Sequence, residues 1–146
     1  MGFMETRSLA ALLGVKPRRG QTVDTLELAR QVGKGLSVDA IDRLCKLIAP
    51  DDAGFRYRLV PKATLARRQQ GGGRLSPEES DRLARLARLW AFALDVWKSE
   101  SAARRFLGRP HPLLRNSIPR DLAIESEIGA RVVENILGGL KYGTAV

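Results

Sequence analysis

The chain has 146 residues, 25 Lys and Arg against 16 Asp and Glu, a formal net charge of +9 and one cysteine, Cys45. That length is enough for one moderate hydrophobic core or two small ones, and a single cysteine excludes an internal disulfide and a thiolate zinc cluster. No stretch has the length and apolarity of a membrane span, and the first residues lack the apolar core of a signal peptide, so a cytoplasmic protein without membrane contact is expected.

Leu, Ala and Arg are frequent and β-branched residues few, which predicts an all-α fold. The first 20 residues carry Arg7, Lys16, Arg18 and Arg19, either a DNA arm or a partly disordered, solvated end. Residues 25–33 read as a short helix capped by Thr22 or Asp24, and residues 38–48 as a clearer one, capped by Ser37 and closed before Pro50. Cys45 falls on the apolar side of that helix and is read as packing. Residues 51–59 show no regular helix, being interrupted by Phe55 and Tyr57.

Lys and Arg outnumber Asp and Glu two to one in residues 1–74 and are nearly balanced by them afterwards. Residues 55–77 contain no acidic residue but hold Arg56, Arg58, Lys62, Arg67, Arg68 and Arg74, a candidate phosphate-binding surface. Within it, residues 60–70 have the form of a recognition helix: Pro61 near the start, then Lys62 and Thr64 to reach base edges or phosphates, and Arg67 and Arg68 to pair with phosphates. Gly71, Gly72 and Gly73 end it and are read as a hinge, because no Lys-Ser/Thr follows as a phosphate-binding loop requires.

Leu75-Ser76-Pro77-Glu78-Glu79 is a helix start with a capping box and Pro at the first helical position. Leu83, Leu86, Leu89, Trp90, Phe92, Ala93, Val96 and Trp97 then recur at helical spacing, with Arg82, Arg85 and Arg88 on another face. Trp90 and Trp97, joined by Phe106, are read mainly as core, and the long helix also offers a homodimer face. Ser99 or Ser101 opens a helix over residues 100–107, stopped by Gly108, Pro110 and Pro112, with His111 a turn residue. Pro119 restarts a short helix, and Ser126 a longer one with Val132, Val133, Ile136, Leu137 and Leu140 on one face. The end, with Gly138, Gly139 and Gly143, reads as flexible.

Enzymatic chemistry finds no constellation. His111 has no Cys or acidic residue at ligand or triad spacing, and Glu78-Glu79 is a helix N-terminal charge, so no catalytic residue, metal or cofactor is expected.

Six short motifs occur in order: Leu75-Ser76-x-Glu78-Glu79-Ser80-Asp81-Arg82-Leu83, Ala103 to Leu107, Pro110-His111-Pro112-Leu113-Leu114, Pro119-x-x-Leu122, Gly129-Ala130-x-Val132 and Tyr142-Gly143. Together they resemble the toxin-binding domain of the Xre/MbcA/ParS antitoxins, and Thr64-Leu65-x-Arg67-Arg68 resembles the end of the Xre-type helix-turn-helix. Departures from the family pattern are Phe106 for Trp, His111 for Asn, Arg115-Asn116 for a Gly pair, and Glu125 near a family Thr.

The resemblance implies an Xre-like helix-turn-helix domain over residues 1–74 and a toxin-binding domain over 75–146. It implies the antitoxin of a type II pair whose cognate toxin is of the NAD-destroying RES family. In such a protein the C-terminal helix and tail, here Asn135 to Val146, block the toxin's active site, with Lys141, Tyr142, Gly143, Thr144, Ala145 and Val146 the groups nearest the cleft and the terminal carboxylate an anion mimic. Operator DNA, bound by a homodimer within a hetero-oligomeric complex, is the second implied partner. The alternatives are a stand-alone helix-turn-helix regulator or partition-type protein, and a scaffold with no nucleic-acid role.

Overall fold

In the computed structural model, which describes residues 9–17, 20 and 22–143, the described residues form helices joined by short turns, with two isolated bridges, Ser37 to Arg74 and His111 to Ser117, in place of a sheet. After a helical run at residues 9–13, α1 spans Thr25–Lys34, α2 Asp39–Ile48, α3 Arg56–Leu59, α4 Lys62–Gln70, α5 Pro77–Trp97, α6 Glu100–Gly108, α7 Pro119–Glu125 and α8 Glu127–Tyr142. The starts follow local chemistry. Asp24, not Thr22, caps α1 by accepting the Glu27 N–H at 2.8 Å. Ser76 and Glu79 close the capping box of α5 reciprocally, at 3.1 and 2.8 Å. Ser99 and Ser126 cap α6 and α8, and His111 accepts the Leu113 N–H through Nδ1 at the 3-10 turn Pro112–Leu114.

Helix α3 corrects the expectation for residues 51–59. Phe55 and Leu59, one turn apart, are both fully buried, so the aromatic residue that interrupts the pattern is the anchor of the helix. Burying a side chain of that size contributes about 1.5–3 kcal/mol, enough to fix a four-residue helix with poor propensity of its own.

Helix α5 is the axis of the fold and packs against α1, α2, α3, α6, α7 and α8. Leu83, Leu86, Ala87, Leu89, Trp90 and Ala93 are buried along it, and only Pro77, Glu78, Asp81 and Trp97 are exposed. Its apolar side is therefore largely consumed within the chain, with Trp97 at its end left 40% exposed. α8 lies parallel to α5 in constant register: Arg88 meets Glu134, Phe92 lies against Gly138 and Asp95 binds Lys141, each pair 46 residues apart. Parallel neighbours need a crossover connection, which α6, the 3-10 turn and α7 supply.

The arginines of α5 do not form a solvated face. Arg82 donates to the Leu59 carbonyl at 2.6 Å, Arg85 to the Ala123 and Ile124 carbonyls at 2.9 Å, and Arg104 of α6 to the Leu47 carbonyl at 2.7 Å. Each acceptor is in the last turn of another helix, where carbonyls lack intrahelical partners and carry the negative end of the helix dipole. Arg88 instead bridges Glu127 and Glu134, both at 2.7 Å.

On α8, Ala130, Val133, Ile136, Leu137 and Gly139 are buried, whereas Val132 and Leu140 are exposed. The buried stripe is narrower than the run of apolar residues because α5 and α7 cover only one side. Its entry is tight: a Cβ at Gly129 would collide with the Leu122 carbonyl of α7. Gly129→Ala should therefore destabilise the fold by about 1–3 kcal/mol, as overpacking does, read as a lower midpoint in thermal or denaturant unfolding.

Candidate functional site: the α4 face and the end of α8

Most of the basic stretch is occupied internally. Arg56 pairs with Asp42 at 2.9 Å, Arg58 with Asp121 at 2.6 Å, Arg68 with Glu79 at 3.1 Å, and Arg74 donates to the Gly35 carbonyl at 2.9 Å. Two cations remain: Lys62, whose ammonium lies 5.7 Å from the centre of the Tyr57 ring, and Arg67, whose guanidinium has no hydrogen-bond or ion-pair partner among the described residues. The sequence-level surface of six cations thus contracts to two.

Helix α4 follows α3 after the short turn Val60-Pro61 and is held by buried Leu65 and by the fork of Arg68, whose Nε and Nη2 reach the two Glu79 oxygens at 3.1 and 3.4 Å. The fork ties Arg68, and with it α4, to the first turn of α5. Thr64 is half-buried beside it, while Lys62, Ala63, Ala66, Arg67, Gln69 and Gln70 are exposed. The glycines that follow are not a free hinge: Gly73 donates to the Arg68 carbonyl at 2.8 Å, its own carbonyl accepts the Val38 N–H at 2.9 Å, and Leu75 donates to Leu36 at 2.8 Å. Gly72 and Gly73 adopt φ of 106° and 73°, which explains glycine there.

The second surface is the end of α8. Gly138 and Gly139 lie inside the helix, Gly139 buried, so neither is the flexible joint that the glycine content implied. The Lys141 ammonium binds Asp95 at 2.6 Å, and Lys98 reaches the same carboxylate at 3.0 Å. The two hydrogen bonds hold the Asp95 carboxyl below its ordinary range. Tyr142 is 71% exposed, Asn135 is exposed, and Gly143 leaves the helix at φ 68°. Thr144, Ala145 and Val146 lie outside the described residues, as do Arg7, Arg18 and Arg19; Lys16 is exposed.

Of the two tryptophans, Trp90 is buried under the Arg104 guanidinium, whereas Trp97 is 40% exposed and stands beside Phe106, itself edge-on to His111. Burial pushes the Cys45 thiol up to about 11, in keeping with its packing role. No group of three metal-ligating side chains is found among the described residues, nor is any helix there long and apolar enough to cross a membrane.

Residues 27–88 match the family model of the antitoxin Xre-like helix-turn-helix domain, and residues 92–143 that of the antitoxin Xre/MbcA/ParS C-terminal toxin-binding domain. The chain is also 32% identical to an antitoxin Xre of Yersinia enterocolitica (serotype O:8 / biotype 1B) over 142 residues, 95% of this chain and 91% of that protein. The chain belongs to the Xre-type antitoxins. It is thus an antitoxin of a toxin-antitoxin system, with a DNA-binding helix-turn-helix and a toxin-binding domain.

The two matched regions meet on α5, which is therefore shared by both parts of the antitoxin. Sequence reasoning placed α4 correctly but missed which of its residues face outward. The Arg68–Glu79 fork has no local signature, since Glu79 already satisfies the capping box, and only the fold shows that one carboxylate does both.

Burial alone would raise the Glu79 carboxyl, but hydrogen bonds from Arg68 and from the Ser76 amide outweigh it and hold it below the ordinary 4.5. A depressed carboxyl stabilises the fold fully above its unfolded value, and this contribution is lost as pH falls through the folded one. Unfolding followed across the acid range should show that loss in the parent chain, and Glu79→Gln should be less stable at neutral pH and flatter below pH 4.5.

Proposed function

We propose that this antitoxin neutralises an NAD-degrading toxin of the RES family by presenting the end of α8 to the toxin's active-site cleft, and that it represses its own operon through α4. The observation that carries the first part is the anchoring of α8. Held in register along α5 as far as the Asp95–Lys141 pair, the helix delivers exposed Tyr142 and ends at Gly143, whose left-handed conformation breaks it.

In this reading Lys141 is a positioning residue, its ammonium held by Asp95, while Tyr142, Gly143, Thr144, Ala145 and Val146 enter the cleft and the terminal carboxylate stands in for a substrate phosphate. Asn135, one face back along the exposed side of α8, contacts the rim. Residues 1–74 serve the operator and 75–146 the toxin, with exposed Lys62 and Arg67, half-buried Thr64 and the Glu79-held Arg68 the α4 residues assigned to DNA. Two copies on a repeated operator would multiply a weak single-site affinity through effective concentration.

The test is co-expression with the product of the adjacent gene, comparing the full antitoxin with a chain ending at Tyr142. The expected result is a stable complex on size exclusion in both cases, with NAD consumption silenced by the full chain and restored in the shortened one. A chain ending at Tyr142 that silences the toxin completely would refute the tail mechanism. A neighbouring protein that forms the complex but consumes no NAD would remove the RES assignment.

A further inference from the structure

The way α4 is held decides which of its side chains can read DNA. Leu65 and Arg68 point inward, Leu65 into the core and Arg68 to Glu79, and Thr64 is half-buried beside them. With about 100° between successive residues, the side opposite Leu65 carries Ala63, Ala66, Arg67 and Gln70. All four are exposed. There is no acidic residue in α4 to repel a duplex.

Two properties of that face point to base reading in place of simple phosphate pairing. Ala63 and Ala66 have no side chain to hold the helix away from the floor of a major groove, and they stand on the same side as the two long donors. Arg67 and Gln70, three residues apart, are separated by about 4.5 Å along the helix axis. Stacked base pairs are spaced about 3.4 Å apart, so the two side chains address neighbouring steps.

We propose, resting on the DNA-binding reading of α4, that Arg67 and Gln70 are the specificity-determining pair of this antitoxin. Arg67 donates two hydrogen bonds to O6 and N7 of a guanine. Gln70 donates to N7 and accepts from N6 of an adenine one or two steps away. Lys62, to the side of this face and over the Tyr57 ring, meets a phosphate. Arg68 takes no part in reading; its fork with Glu79 fixes the angle at which the other two enter the groove.

The experiment uses the full chain. A preferred duplex is first selected from a randomised pool, and affinities are then measured for every single base-pair substitution of it with the parent chain, Arg67→Ala, Gln70→Ala and Lys62→Ala. The expected result for Arg67→Ala is a loss of about 5- to 140-fold in discrimination at one G·C pair, the others keeping theirs. Gln70→Ala should do the same at an A·T pair within two steps, and Lys62→Ala should weaken all duplexes by one factor. If Arg67→Ala also weakens every duplex equally and lowers the salt slope by about one, Arg67 is a phosphate contact and the proposal falls. A parent chain that retains no duplex from the pool would overturn the operator reading as well, an outcome distinct from uniform weakening.

Discussion

The fold depends on arginines that satisfy the carbonyl ends of helices to which they are not joined. A short helix leaves its last carbonyls without partners, and several such ends meet inside this molecule, where water cannot serve all of them. Arg82 and Arg85 of α5 and Arg104 of α6 reach the last turns of α3, α7 and α2 respectively, so the two helices that make up the middle of the chain tie together elements far apart in sequence. The cost of removing one would be a partly buried acceptor deprived of its donor more than a lost charge. The positive charge of the protein is in large part structural.

Local chemistry was legible in the sequence and long-range pairing was not. Ser76, Glu79, Ser99 and Ser126 announce their helices because a cap is completed within four residues. The same is true of α4, bounded by Pro61 and Gly71. The partners of Arg56, Arg58 and Arg74 come from α2, α7 and the turn after α1, and nothing in the neighbouring residues marks them. A run of cations therefore reads as a surface until the fold shows it to be a set of ties. Phe55 misled in the opposite direction, since α3 is packed between α2 before it and α5 after it, and no local pattern marks that. The glycines show the same division: Gly71 to Gly73 and Gly138-Gly139 have the composition of flexible joints, yet the first group is bonded to residues 36–38 and the second lies within α8.

The two candidate surfaces are small because so much of the chain is spent on packing. On α4, one buried leucine and one fork are enough to hold the helix while leaving its outer side to small and polar residues. On α8, the side away from α5 and α7 leaves Ile128, Val132, Leu140 and Tyr142 exposed, and the first of these is 76% exposed. Apolar residues displayed in that number on a matched toxin-binding region are in place for a protein partner. Elsewhere Leu26, Tyr57, Leu113 and Trp97 are also exposed, Trp97 beside Phe106.

Because α8 runs parallel to α5, its last turn lies at the pole of the bundle where α5 ends, while α4 is fastened at the pole where α5 begins. From Glu79, which grips the recognition helix, to Asp95, which grips the last turn of α8, the axis covers about 24 Å. An antiparallel α8 would have brought its last turn back beside α4. As built, the central helix is a spacer: the matched helix-turn-helix region and the last turn of the matched toxin-binding region are fastened to opposite ends of one rod.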